Sequence, residues 1–408
     1  MKLIKGGVTA PQGFSAAGLH AGVKAGSSPE KYDLAMILSD RAASAAAVYT
    51  RNRVKAAPIY VTMDHLESGT ARGVIVNSGN ANACAPDGHE HAEAMCIAAA
   101  KATGLSASDF LVASTGVIGV ELNIAAIENA LPELTNKLSD TAESSDDAAH
   151  AIMTTDTVKK EFALSFDLGG KTVTLGAISK GSGMIHPNMG TTLTFVTTDC
   201  AIAPALLHAA LEEAVRVSLN RVSVDGDTST NDMCSVIANG AAGNAPIVEM
   251  GEDYECFAGA LKILLVQIAR AIAKDGEGAT KLISATVSGA RSEETAEALA
   301  KAIVCSSLVK AAMFGADANW GRVLCAMGYS GAAFRPEYVD AAFRSASGEI
   351  AVCRAGDGLV FDEDKAKTIL SEDEVTIAVE LHEGDHAATC WGCDLTYEYV
   401  KINGDYRT

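Results

Sequence analysis

The sequence predicts an α+β fold built from layered sheets. β-rich runs and Ala-rich helical stretches alternate through the first third of the chain. They do not settle into the regular strand–helix–strand repeat of a doubly wound sheet. The alternation restarts beyond Gly276-Glu277-Gly278-Ala279-Thr280-Lys281, which sets a soft boundary near residue 280. A chain of 408 residues exceeds what one hydrophobic core usually serves, so folding units are expected at about 1–280 and about 281–408. Aromatics make up only 5% of the residues, which leaves small aliphatic side chains to fill the core.

Taken in order, Gly73-Val74-Ile75-Val76 reads as a strand ending in a loop, and Glu90 to Thr103 as a helix. Asp109-Phe110-Leu111-Val112-Ala113 is a second short strand, running into Ser114-Thr115-Gly116, a turn whose small residues leave backbone N–H groups accessible. Lys171 to Ser179 alternates as a strand does and leads into a Gly-rich approach, Lys180 to Thr191. After it come a strand over Leu193 to Thr197, a helix from Pro204 to Leu219 and a long helix ending near Lys274. A strand at Leu282 to Val287, a helix from Ser292 to Ile303, and strands at Thr376 to Leu381 and Ala388 to Ile402 complete the pattern.

Composition excludes several classes of function. A formal charge of −19 with no Lys/Arg-rich run repels a phosphate backbone and argues against a nucleic-acid partner. The most apolar window, Phe257 to Ala273, is interrupted by Lys262, Gln267 and Arg270 along one stripe, so an amphipathic helix is expected and no membrane partner. The start, Met1 to Gly7, lacks the apolar stretch of a secretory signal. With ten irregularly spaced cysteines, it points to a cytoplasmic location and reduced thiols.

Three motifs imitate other chemistries. His382-Glu383-Gly384-Asp385-His386 matches the H-E-x-x-H zinc pattern, but that pattern works only on a helix; Gly and Asp at its centre indicate a turn, and no metal is expected. Cys390-Trp391-Gly392-Cys393 has redox spacing, yet on a strand residues three apart face opposite ways, which makes structural cysteines the expectation. Asp225-Gly226-Asp227 with Asn231-Asp232 lacks the glycine and closing glutamate of a calcium loop and reads as a hydrogen-bonded loop.

The central segment is Lys180-Gly181-Ser182-Gly183-Met184-Ile185-His186-Pro187-Asn188-Met189-Gly190-Thr191. Attack by the Thr191 hydroxyl on the Gly190 carbonyl needs close access, which a bulky residue at 190 would block. Cleavage there would free an α-amino group, with a pKa of roughly 8, to act as base for its own hydroxyl. These residues alone read more readily as a Gly-rich turn between two strands.

Their neighbours carry a resemblance. The segment resembles the autoproteolysis site of the ornithine acetyltransferase (glutamate N-acetyltransferase) family, bifunctional enzymes of arginine biosynthesis. Ordered matches run through the chain: Asn77-Ser78-Gly79-Asn80-Ala81-Asn82-Ala83, Ser114 to Gly119, Met153-Thr154-Thr155-Asp156-Thr157, Asp225 to Asn231, Asp275 to Lys281, Asn319-Trp320-Gly321-Arg322 and Asn403 to Thr408. The resemblance implies a layered αββα sandwich of the N-terminal-nucleophile type with a smaller C-terminal α/β domain. It implies cleavage between Gly190 and Thr191 into fragments 1–190 and 191–408, with two copies of each in a heterotetramer.

By the same resemblance Thr191 is the nucleophile and Thr115 and Gly116 form the oxyanion hole. Thr154, Lys180, Thr191, Glu277, Asn403 and Thr408 hold substrate, with Thr154 or its neighbour Thr155 making the contact. A lysine suits a substrate carboxylate, and a glutamate an ammonium group. The implied reaction moves an acetyl group from N-acetylornithine to glutamate by a ping-pong route through acetyl-threonine, without a cofactor; acetyl-CoA is an open second donor. The closing residues Asn403 to Thr408 are expected to limit water access. An N-terminal-nucleophile aminopeptidase or amidase is the alternative, and a non-enzymatic acidic binding protein the more distant one. The chain departs from the family at Gly190, where Ala is more usual, at Thr192, where Met is usual, at Val158-Lys159-Lys160, which lacks a common proline, and at Cys390, where a small apolar residue is common.

Overall fold

The structure, a computed structural model, describes residues 1–186 and 192–405. Its strands are β1 (Lys2–Ile4), β2 (Phe14–Leu19), β3 (Leu34–Tyr49), β4 (Thr70–Asn77), β5 (Phe110–Ser114), β6 (Lys160–Leu168), β7 (Lys171–Lys180), β8 (Leu193–Thr198), β9 (Val222–Ser223), β10 (Met233–Ala238), β11 (Leu282–Ala290), β12 (Asp340–Ser345), β13 (Gly348–Arg354), β14 (Asp357–Gly358), β15 (Glu374–Glu380) and β16 (His386–Cys393). The helices are α1 (Ala57–His65), α2 (Gly88–Thr103), α3 (Ile124–Asn136), α4 (Ala142–Ala151), α5 (Pro204–Arg216), α6 (Glu252–Lys274), α7 (Glu293–Cys305), α8 (Ser307–Phe314), α9 (Trp320–Gly328), α10 (Glu363–Leu370) and α11 (Tyr397–Asp405). The fold is α+β.

The larger sheet runs β1-β6-β7-β8-β10-β3-β4-β5, and β2 also pairs with β3. The long strand β3 is its hinge. One edge of β3 pairs with β2 over 34–39 and then with β10 over 44–49, while the other edge pairs with β4. The register with β4 slips between Leu38 and Ala43, a bulge that bends the strand and lets the sheet fold back on itself. Side chains at alternate positions show the result. Ala35, Ile37, Val74, Val76, Leu111 and Ala113 from one half share a core with Ala45, Ala47, Ile178, Leu193, Phe195 and Ile237 from the other. The opposite faces are covered by α2 and α3 on one side and by α5 and α6 on the other. The layers are therefore αββα, and small side chains along β3 let the two halves approach.

The second, smaller sheet has the order β14-β13-β12-β15-β11-β16-β9. Helices α7 to α10 pack on one face of it. Leu282, Trp391 and Cys393 on its other face join the core around α6, which lies between the two sheets. Helix α6 is long and apolar enough to cross a membrane by composition. Here Phe257, Leu261, Leu264, Leu265, Ile268 and Ile272 are buried inside the protein. Acidic residues in its first turn and Lys274 in its last complement the helix dipole.

One sequence expectation fails. The run Ala388 to Ile402 is not a single strand: β16 stops at Cys393 and α11 begins at Tyr397. The Asp394 carboxylate leaves the ladder to accept from the N–H groups of Thr280 (2.8 Å) and Lys281 (3.0 Å). Two residues on, the Thr396 hydroxyl donates to Gly278 O (2.7 Å) and accepts from Glu398 N–H (3.2 Å), turning the chain into a helix that crosses back toward residue 277. The helix expected from Pro204 to Leu219 is also shorter, ending at Arg216 before a 3-10 turn.

Candidate active site

The first wall of the site is the turn after β5. Thr115 N–H donates to Asn77 O (3.0 Å), and the Ser114 hydroxyl donates to Asn77 Oδ1 (2.6 Å). Asn77 Nδ2 in turn donates to Asn80 O (2.9 Å), so the loop 77–83 is locked against the turn. Gly116 has φ +131°, and a Cβ there would lie 2.4 Å from the carbonyl carbon of Gly79. Only glycine lets the two backbones meet this closely. From the opposite half of the sheet, Asn231 Nδ2 donates to both Ala81 O (2.6 Å) and Ser114 O (2.8 Å).

The second wall is the end of β7 and the approach after it. Lys180 is buried and its Nζ lies 3.4 Å from Thr115 Oγ1. Burial pushes the Lys180 pKa down, against the opposing pull of the Asp156, Asp232 and Glu277 carboxylates. Glu277 stands across from it. Its Oε2 accepts from Asn403 Nδ2 on α11 (2.7 Å), and a Cβ at Gly183 would lie 2.3 Å from the Glu277 carboxyl. These groups, with both Thr154 and Thr155, enclose a cleft of about 110 Å³ completed by Ala81, Ile118, Met184 and residues 229–231. Thr115, Gly116, Thr154, Lys180, Glu277 and Asn403 are thus brought to one place from widely separated segments. Gly190, Thr191 and Thr408 lie outside the described residues.

Several supporting residues are visible only in three dimensions. Lys160 is buried, and its Nζ reaches Asp156 Oδ1 (2.7 Å) and Asp275 Oδ2 (2.6 Å). Asp156 also accepts from Gly181 N–H (2.7 Å) and Thr154 N–H (3.1 Å), and Asp275 from the N–H and hydroxyl of Thr157. One buried triad therefore fixes the 154–158 loop to the end of β7 and to the end of α6. The Asp156 pKa is lowered even though burial raises it, because the Lys160 and Lys180 ammonium groups and the Gly181 N–H outweigh burial. The available signal in the sequence was a lysine four residues after an aspartate, at the start of a strand.

At the head of β10, Asp232 is buried with Oδ2 lacking a hydrogen-bond partner among the described residues. Burial drives its pKa well above the carboxylate range, only partly offset by Lys180 and Ser229. Met233 N–H donates to Thr192 O (2.9 Å), which puts the start of β8 beside it. His186 accepts or donates at Ser223 Oγ (3.1 Å), and burial with the nearby Lys301 ammonium pushes its imidazole down to about 4, leaving it neutral at neutral pH.

The three imitation motifs resolve as geometry. His382 to Asp385 form a turn between β15 and β16. Cys390 and Cys393 are free, buried on opposite faces of β16 in different cores. Asp225 accepts from Met184 N–H (2.6 Å) and Ile185 N–H (2.9 Å), so its loop braces the approach to residue 186.

A profile of the ArgJ family matches residues 15–408. The chain belongs to the ArgJ family. It is 51% identical over 409 residues to the arginine biosynthesis bifunctional protein ArgJ of Symbiobacterium thermophilum, covering all of both chains. It is 48% identical over 409 residues to the protein of the same name from Caldanaerobacter subterraneus subsp. tengcongensis, again over all of both. The crystal structure of arginine biosynthesis bifunctional protein ArgJ from Bacillus halodurans is similar with a TM-score of 0.50 and 45% identity, covering 52% of this chain and 98% of that one. Within the family frame the locked turn at 114–118, the buried Lys180 and the Glu277–Asn403 pair are the features whose chemistry needs an account.

Proposed function

We propose that this protein is an acetyltransferase of arginine biosynthesis that carries an acetyl group from N-acetylornithine to glutamate through an ester on Thr191. The observation that carries the reading is the meeting of Thr115, Gly116, Lys180, Glu277 and Asn403 around one small cleft in a chain whose relatives are named arginine biosynthesis bifunctional proteins. Thr191 directly precedes Thr192 in the chain, and Thr192 O accepts from Met233 N–H (2.9 Å) just ahead of β8.

In this reading the chain first cuts itself between Gly190 and Thr191 into fragments 1–190 and 191–408, which assemble as two copies of each. The freed α-amine of Thr191 takes the proton of its own hydroxyl, and the oxygen attacks the acetyl carbonyl. Thr115 Oγ–H and Gly116 N–H receive the negative charge that develops on the carbonyl oxygen; such donors are worth about 3 to 4 kcal/mol each. Ornithine leaves with the proton, glutamate enters, and its amine takes the acetyl group from the ester. Lys180 pairs with the substrate carboxylate, Glu277 with the distal ammonium of ornithine, and Thr154, Asn403 and Thr408 complete the grip. No cofactor enters any step, and acetyl-CoA is a further donor by which the same ester could form.

Denaturing intact-mass spectrometry with and without N-acetylornithine tests this directly. The expected result is two fragments, the second starting at Thr191 and gaining one acetyl mass with substrate. A single uncut mass that ignores the substrate would refute it. Product analysis with and without glutamate then separates transfer from simple hydrolysis.

A further inference from the structure

The lining of the cleft divides by chemistry. Lys180, Glu277, Asn403 and Thr154 are charged or polar and suit the zwitterionic amino acid. The transferred acyl group is neutral and must lie next to the oxyanion donors at Thr115 and Gly116. The apolar residues available are Ala81, Ile118 and Met184. Met184 is 36% exposed and follows Gly183, which abuts the Glu277 carboxyl, so it belongs to the charged side. Ala81 and Ile118 flank the oxyanion turn itself.

We propose that Ala81 and Ile118 form a rigid wall that restricts the transferred acyl group to acetyl, an inference that rests on the acyl-transfer reading above. The Ala81 face of the wall cannot recede. Ala81 N–H donates to Val117 O (2.8 Å), and Ala81 O accepts from Asn231 Nδ2 (2.6 Å), so its backbone is fixed at both ends. Behind it Ala56 and Ala83 are 0% and 1% exposed, and Ile118 packs on this three-alanine cluster. Alanine has no side-chain torsion through which to yield, and the core packs too densely for the backbone to give way cheaply. A longer acyl chain therefore meets Ile118 before it can bring its carbonyl into the oxyanion hole. A methylene in such a pocket is worth about 10- to 200-fold in discrimination.

The test compares kcat/KM for transfer to glutamate from N-acetyl-, N-propionyl- and N-butyrylornithine by the full mature enzyme. Wild type is expected to lose about tenfold or more for each methylene added. Ile118→Ala is expected to narrow the butyryl-to-acetyl gap by about tenfold or more, and Ile118→Val, which removes a single methylene and keeps the fold safe, to narrow the propionyl gap. Ala81→Val is expected to lower acetyl transfer itself. Unchanged acyl-chain ratios in the folded Ile118 variants, with acetyl transfer intact, would overturn the wall alone. Wild-type protein that never transfers acetyl from N-acetylornithine would bring down the acyl-transfer reading and this inference with it.

Discussion

Gly183 gives the most exacting test of the proposed substrate grip. A Cβ at this position would lie 2.3 Å from the Glu277 carboxyl carbon and Oε1 and 2.5 Å from Oε2, distances no real Cβ sustains. Gly183 carries no left-handed φ, so Gly183→Ala strains the contact and leaves the backbone dihedrals unstrained. Glu277 must then move, which displaces the carboxylate that accepts the 2.7 Å bond from Asn403. Losing a charge-assisted hydrogen bond costs about 1.5 to 3 kcal/mol. Where the displaced carboxylate forfeits its proposed pairing with the substrate ammonium, a loss of that size corresponds to about a 10- to 150-fold fall in kcat/KM for N-acetylornithine. The cause is isolated by a double-mutant cycle with Glu277→Ala, where the carboxyl that clashes is gone: Gly183→Ala should there cost little. If Gly183→Ala keeps wild-type kcat/KM, or costs as much with Glu277 as without it, the argument for this contact is wrong.

Other expectations follow from the same geometry. Lys160→Met leaves two buried carboxylates without their cation and should destabilise the protein by about 3 to 5 kcal/mol, read as a lower denaturation midpoint; an unchanged midpoint would contradict the buried triad. Asp232 has its folded pKa raised above the unfolded value of about 3.9, so its contribution is fully present below that pH and is lost as pH rises through the folded pKa. Asp232→Asn should therefore gain stability relative to wild type from about pH 4 toward neutrality, and a Tm difference constant over that range would count against the assignment. Thr191→Ala should yield a single uncut chain with no acetyl transfer, and a cut Thr191→Ala protein would sink the self-cleavage proposal.

How much of this could be read from residues alone depended on how local the signal was. Strands such as 171–179 and 193–197 and the helix over 90–103 carry their own periodicity, and the structure has β7, β8 and α2 there. The hinge strand carries a misleading one. Ala42 to Val48 is an alanine-rich run, and alanine is the best helix former, yet here the residues lie in a strand whose positions 45–48 are buried on both faces. Tertiary packing decides: two sheet halves close over this strand, and only small side chains fit between them. The tail fails in the opposite direction, because what ends β16 is Asp394 bonding to backbone at 280–281, a partner more than a hundred residues away.

The site shows the same division. The turn at 114–116 is legible because its small residues mark accessible backbone N–H groups, whereas the close approach of Gly116 to Gly79 is visible only in the structure. The residues that hold the cleft in shape are not legible. Asp156 and Lys160 stand four apart, which on a surface helix is a pair worth only a few tenths of a kcal/mol. Here neither side chain of the pair is accessible, and the third member, Asp275, arrives from the far end of α6. Burial converts a weak local pair into a constraint that joins three segments of the cleft. It does so at a cost: the lysine must be matched by charge on both sides, since a buried ammonium with one neutralised partner is poorly compensated. The same requirement extends to Lys180, whose charge is supported by Asp156 and Glu277. The anionic groups of the cleft are thus shared between holding the scaffold and holding the cation that faces the cleft, so removing Asp156 should weaken both at once. A loss of stability without a shift in the pH dependence of substrate binding in Asp156→Asn would show that the two roles are separate.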